Sequence, residues 1–296
     1  MTAALVQTRQ LGDFRIHALD GGLQRLDGGA MFGVVPKPLW QKRIPADDRN
    51  RIPLAMRCLL VETPDALVLI DNGAGNKESA RFRDIYGLDN AASDPARWPT
   101  RIEEALARLG YSPDDVDIML DTHLHFDHAG GNTRVTEGGG IELSFPRARY
   151  IIQRGELDWS RLRNERIQAS YLPHNFEPVV AAGRVDLVDG DVEIVPGISV
   201  MRTAGHTPHH QSVLIASGGE TACFLADVIP TSAHLPLPWI MGYDVEPLVT
   251  LESKRTLLAR ARAEQWLLVF EHDPVVPWGR LDPAKEKPVL LEGSVS

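Results

Sequence analysis

The sequence predicts an α/β protein in which helices cover mixed sheets. Short apolar, β-branched runs interleave with amphipathic segments in both halves of the chain. Turn residues separate these runs at close intervals. The 296 residues are 43% hydrophobic and 24% charged, enough for a sizeable core, and contain no low-complexity linker or short repeat. Residues 1–296 therefore read as a single domain.

Phe14–Leu19 alternates as a strand ending at Asp20-Gly21-Gly22. Residues 28–40 are too rich in Gly and Pro for regular structure yet strongly apolar, so this loop is expected to cover something. Leu54–Glu62 and Ala66–Asp71 form a hairpin around Thr63-Pro64-Asp65. Thr100-Arg101-Ile102-Glu103 is a capping box that opens a helix through Leu109, stopped by Gly110. Val116–Leu120 is a strand, as is Ala148–Gln153, and Gly155–Arg163 is a helix. Val185–Val188, Val192–Val195, Ile198–Arg202, Gln211–Ala216 and Thr221–Ala226 are short strands. Glu246–Ala263 is a helix with Pro247 in its first turn, followed by a buried strand over Gln265–Glu271.

Lys plus Arg number 31 against 40 Asp plus Glu, a net charge of −9, which disfavours nucleic acid as a partner. Met1–Gln10 lacks the apolar region of a signal peptide, and no apolar run reaches the ~18–20 residues of a membrane span. Cys58 and Cys223 lie in apolar strand-like runs and read as buried free thiols. The expected location is the cytoplasm.

The strand Val116–Leu120 runs directly into Asp121-Thr122-His123-Leu124-His125-Phe126-Asp127-His128-Ala129-Gly130-Gly131-Asn132. Three imidazoles and a carboxylate within six positions on one loop are what a transition-metal site requires. Further candidates follow other strands: His206 after Ile198–Arg202, Asp227 after Thr221–Ala226, and His272 after Gln265–Phe270. One edge of a pair of sheets can gather them all. Asp121 is placed to orient a ligand imidazole, and His210 to donate to the backbone or a ligand carboxylate; His17 and His174 carry no functional reading.

The ordered set His123-x-His125-x-Asp127-His128, Gly205-His206-Thr207-Pro208, Asp227 and His272 resembles the metallo-β-lactamase superfamily. The resemblance covers about residues 54–273. It implies an αβ/βα sandwich of two mixed sheets with helices outside. It also implies one metal on His123, His125 and His206, a second on Asp127, His128 and His272, and Asp227 bridging both. Zinc suits this donor set, and cobalt, manganese and iron tolerate it. Within the superfamily, the run from His123 to Asn132 together with His206-Thr207-Pro208-x-His210-Gln211-Ser212 looks most like the quorum-quenching N-acyl homoserine lactone lactonases, with methyl-parathion hydrolases similar in architecture.

The resemblance implies a hydrolase in which a metal-bridging hydroxide attacks a lactone or ester carbonyl, with Asp127 and Asp227 as catalytic carboxylates and Asp127 relaying a proton. The alternatives are phosphotriester hydrolysis at the same centre and a non-catalytic metal-dependent binding protein. Those lactonases place a tyrosine three residues after the bridging aspartate; Pro230 stands there in this chain, leaving Tyr243 or His234 to replace it. Loops 28–45 and 230–243 are expected to flank the site. Met31, Phe32, Trp40, His209, His234, Trp239, Tyr243 and Trp278, read as loop residues, would form an apolar pocket for a small neutral substrate. The loop Met31–Trp40 covers either its own site or, in a homodimer, that of a second copy.

Overall fold

In the computed structural model, which describes residues 4–136 and 138–291, the strands are β1 (Val6–Leu11), β2 (Phe14–Asp27), β3 (Arg51–Glu62), β4 (Leu67–Ile70), β5 (Ile118–Leu120), β6 (Thr133–Val135), β7 (Ile141–Leu143), β8 (Arg149–Gln153), β9 (Val185–Val188), β10 (Val192–Val195), β11 (Ile198–Arg202), β12 (Gln211–Ser217), β13 (Glu220–Phe224), β14 (Leu267–Val269) and β15 (Trp278–Arg280). The helices are α1 (Gly28–Phe32), α2 (Lys37–Trp40), α3 (Ala80–Tyr86), α4 (Arg101–Leu109), α5 (Phe126–Ala129), α6 (Arg154–Ser160), α7 (Pro173–Ala181) and α8 (Pro247–Ala263). The chain forms two compact units, 1–23 with 56–190 and 24–55 with 191–296.

The first unit is built on a sheet of order β1-β2-β3-β4-β5-β8-β9. The β3–β4 hairpin is antiparallel, whereas β4, β5, β8 and β9 pair in parallel. Parallel strands need covered faces, and Val68, Leu69, Ile70, Met119 and Leu120 are accordingly all fully buried. α4 packs Ile102, Ala105 and Leu106 against Leu60, Leu69, Met119 and Tyr150. Thr100 caps α4 by accepting the Glu103 amide at 3.3 Å, and Gly110 ends it in the left-handed region. The Glu103 carboxylate, instead of completing a box at the helix end, pairs with Arg134 at 2.9 Å.

The second unit is built on a sheet of order β10-β11-β12-β13-β14-β15, antiparallel except for the β13–β14 pair. α8 sets Leu257, Leu258 and Ala261 against Cys223, Trp266, Leu268 and Phe270. Both cysteines are buried free thiols.

Several local expectations need correction. β2 does not stop at Gly21-Gly22 but runs on to Asp27. The glycines are there for room, since a Cβ on Gly21 would meet the Met56 carbonyl at 2.3 Å. Residues 28–40 hold α1 and α2 instead of an irregular loop, so Met31, Phe32 and Trp40 sit on short helices. Trp278 likewise opens a strand, β15, opposite Val269. α7 escapes sequence reading because Pro178 interrupts its donor pattern.

Candidate metal centre

The first unit carries four of the seven expected ligands on the segment after β5. Asp71, at the end of β4 and in the left-handed region at φ 53°, anchors that segment. Its carboxylate accepts the Thr122 amide at 2.8 Å and the Thr122 hydroxyl at 2.7 Å. It also accepts His128 Nδ1–H at 3.0 Å, which leaves Nε2 as the donor atom His128 offers a metal. Because the Thr122 hydroxyl donates to Asp71, its oxygen accepts from His123 Nδ1 at 3.1 Å, fixing Nε2 of His123 as that residue's lone pair. That Nε2 lies 3.1 Å from Nδ1 of His125, and Nε2 of His128 lies 3.8 Å from Asp127 Oδ2. Two ligands each about 2.0–2.2 Å from a shared ion stand about 3.0–3.5 Å apart at ordinary coordination angles, so the His123–His125 pair is spaced as co-ligands.

The backbone around these residues is tied down at both ends. Glu156 accepts the Leu124 amide at 3.1 Å and the Tyr171 hydroxyl at 2.8 Å, and the Tyr171 ring lies edge-on to His125 at 4.7 Å. At the far end, half-buried Lys77 donates to the carbonyls of Gly130 and Thr133; desolvation lowers its pKa to about 8. Asp121 is buried and accepts from Asn132 Nδ2 at 2.9 Å; burial, then the nearby Asp71 charge, raise its pKa. Asp71, which sequence reading passed over, is a carboxylate that holds the His128 imidazole.

The second unit carries the other three expected ligands. His206 follows Gly205, whose φ of 134° and position admit no side chain: a Cβ would lie 2.3 Å from the Thr250 amide nitrogen. His206 Nδ1 donates to Asp244 Oδ1 at 2.9 Å, and Nε2 faces Asp227 Oδ2 at 3.0 Å. His272 Nδ1 donates to the Ala55 carbonyl at 2.6 Å, and Nε2 faces Asp227 Oδ1 at 3.0 Å. Each oxygen of Asp227 thus faces the Nε2 of a different histidine, the arrangement a bridging carboxylate needs. Burial opposes charge on His206, but Asp227 and Asp244 outweigh it and raise its pKa to about 10.

His210 meets the backbone as an acceptor, where a donor was expected. Its Nε2 accepts the Asp227 amide at 3.1 Å, so Nδ1–H donates to Thr203 Oγ1 at 2.8 Å. Ser212 continues the relay to the Leu225 carbonyl.

The pocket residues lie as follows. Phe32 and Trp40 are fully buried and stacked at 5.4 Å, in one cluster with Met31, Trp239 and Tyr243. His234 stacks on Phe32 at 4.5 Å, donates Nε2–H to the Met31 carbonyl at 2.8 Å, and accepts the Thr231 hydroxyl on Nδ1 at 2.7 Å. Both of its nitrogens are spent inside the unit, so His234 does not supply the donor missing at Pro230. Burial lowers its pKa to about 3, keeping the ring neutral. Lys254, also buried, donates to the carbonyls of His234, Pro236 and Trp239 at 2.7, 3.1 and 2.7 Å and so holds loop 230–243 from α8. Burial pulls its pKa toward about 7, while three carbonyl acceptors match the three N–H groups of an ammonium and act in the opposite direction. Trp278 is buried, and His209 is half-buried.

Sequence reading missed one aromatic group. Phe82 and Tyr86, one turn apart on α3, pack with Phe126 at 5.0 and 4.6 Å between ring centroids. Phe126 lies between His125 and Asp127. The four-residue spacing on a short helix was the available signal.

The metallo-β-lactamase superfamily model matches residues 53–272. An N-acyl homoserine lactonase of Bacillus thuringiensis is 31% identical over 228 residues, covering 74% of this chain and 82% of the relative. A probable metal-dependent hydrolase from Staphylococcus aureus superposes with a TM-score of 0.86 at 32% identity, covering 96% of this chain and 99% of that one. An N-acyl homoserine lactone hydrolase with N-hexanoyl-L-homoserine bound at its catalytic metal centre superposes at 0.65 with 26% identity, covering 92% and 94%. The fold, the His/Asp donor sets and these similarities identify the chain as a metal-dependent hydrolase of the metallo-β-lactamase superfamily.

Proposed function

We propose that His123, His125 and His206 hold one divalent ion, that Asp127, His128 and His272 hold a second, that Asp227 bridges them, and that the enzyme opens N-acyl homoserine lactones. The observation that carries this reading is the locked orientation of the imidazoles: His128, His206 and His272 each spend Nδ1 on a carboxylate or carbonyl, reserving Nε2 for a metal. Nitrogen donors mixed with carboxylates suit zinc. When bound, such ions supply a water acidified to a pKa of about 7 and a Lewis acid for the substrate carbonyl.

The chain's own residues do the remaining work. Asp127, buried in the first turn of α5, would carry a proton to the departing alkoxide. His210 fixes the Asp227 backbone, and Asp244 fixes His206. The aromatic group Phe82, Tyr86 and Phe126 offers apolar surface beside Asp127 for an acyl chain. The B. thuringiensis lactonase similarity supports this substrate class.

Turnover of N-hexanoyl homoserine lactone and of paraoxon on one zinc-loaded preparation tests the reading. Lactone opening well above background is expected. Lactone rates at background with paraoxon turned over would replace it with phosphotriester hydrolysis.

A further inference from the structure

Tyr111, Tyr150 and Tyr171 of the first unit spend their hydroxyls inside it. Tyr111 donates to Glu62, Tyr150 to the Asn132 carbonyl at 3.2 Å, and Tyr171 to Glu156 at 2.8 Å. Tyr86, the remaining tyrosine of that unit, has no hydrogen-bond partner for its hydroxyl among the described residues. It is half-buried, and the hydroxyl is not sealed from solvent. A phenol left uncommitted on a packed ring can donate to a ligand.

The ring is held in place from both ends of α3. Ser79 opens the helix by accepting the Phe82 amide at 3.2 Å, and Gly87 closes it in the left-handed region. Just beyond, Leu23 and Asp89 exchange amide-to-carbonyl bonds at 2.9 and 2.8 Å. The Tyr86 ring packs on Phe82 at 4.4 Å and on Phe126 at 4.6 Å between centroids. Asp127 follows Phe126, and its charge reaches the phenol: burial first, and Asp127 second, raise the pKa of Tyr86, so it remains a donor throughout the neutral range.

We propose that the Tyr86 hydroxyl donates a hydrogen bond to the substrate oxygen that departs as the lactone opens. The inference rests on the lactone reading and on the role of Asp127 in it. Water adds to the carbonyl carbon, and its proton passes by way of Asp127 to the departing ring oxygen. The electron pair of the broken C–O bond stays on that oxygen, and Tyr86 steadies the developing charge while keeping its own proton. The hydroxyl is what separates Tyr86 from Phe82 and Phe126, whose rings offer apolar surface alone.

Wild type and Y86F, which keeps the ring, are compared on N-hexanoyl homoserine lactone and on N-hexanoyl homocysteine thiolactone, which carries sulfur in place of the departing oxygen. A thiolate accepts hydrogen bonds poorly, so Y86F is expected to lower kcat about tenfold on the lactone and less than about twofold on the thiolactone. Calorimetry on the zinc-loaded protein supplies a second readout. N-hexanoylhomoserine, which retains the released hydroxyl, is expected to bind about fivefold tighter than N-hexanoyl-2-aminobutyrate, which lacks it, and Y86F to erase that preference. Equal losses on lactone and thiolactone, or a binding preference that is absent in wild type or survives in Y86F, overturns the proposal and leaves lactone opening standing. A wild type that opens no lactone overturns both.

Discussion

Acid should weaken the second unit through His234, and the size of the effect follows from its hydrogen bonds. The ring accepts from Thr231 and donates to the Met31 carbonyl while stacked on Phe32, so a second proton would face a hydroxyl proton and lose a bond. Its pKa is accordingly lowered to about 3 in the folded state, against about 6.5 unfolded. Between these values the unfolded chain binds a proton that the folded chain does not. This contribution is therefore fully present above pH 6.5 and is lost as pH falls toward 3, at about 1.4 kcal/mol per pH unit. From pH 6.5 to 4.5 the loss is roughly 2–3 kcal/mol. The assay is urea unfolding of wild type and H234Q across that range, followed by tryptophan fluorescence, since Trp40 and Trp239 lie in the same cluster. H234Q keeps a donor for Met31 and cannot titrate, so its curve should be shallower by that amount. Parallel pH dependences in the two proteins would refute the reasoning, whatever the variant's stability at neutral pH.

Three further outcomes are expected. D71N removes the charged acceptor of His128 Nδ1, so metal affinity measured by chelator competition should fall about 10–100-fold with circular dichroism unchanged. K254M leaves three carbonyls of loop 230–243 without their donor and should destabilise the protein by about 3 kcal/mol, read from the urea midpoint. G205A drives a Cβ into the Thr250 backbone at a φ of 134° and should cost about 3 kcal/mol or more, with loss of metal in elemental analysis because His206 moves with it.

The donor residues were legible because they follow strands at short, chemically distinctive spacing: His123 through His128 lie just beyond β5, and His206, Asp227 and His272 follow β11, β13 and β14. Their partners were not. Asp71 is 57 residues from His128, and Asp244 is 38 from His206, and a lone aspartate at such distance carries no local pattern. Proximity in sequence singled out Asp121 as a carboxylate able to orient a ligand imidazole and gave no sign of Asp71, which accepts from His128 across the β4–β5 pair. The segment 28–40 was misread for a different reason. Gly and Pro suggest a loop, but Asp27 caps α1 through the Ala30 amide, and the apolar side chains fold inward on one another. Composition revealed that these residues needed cover and not that they would cover themselves.

The imidazole of His206 sets up a competition. With Asp227 and Asp244 holding its pKa near 10, the metal-free protein keeps a proton on this ring throughout the neutral range. On the proposed reading, an ion taken up at Nε2 would displace that proton, so loading would release acid to the buffer and tighten as pH rises. The acids that orient the ring thus make occupancy a function of pH, and the enzyme's acid limb should record metal loss before it records any failure of the reaction.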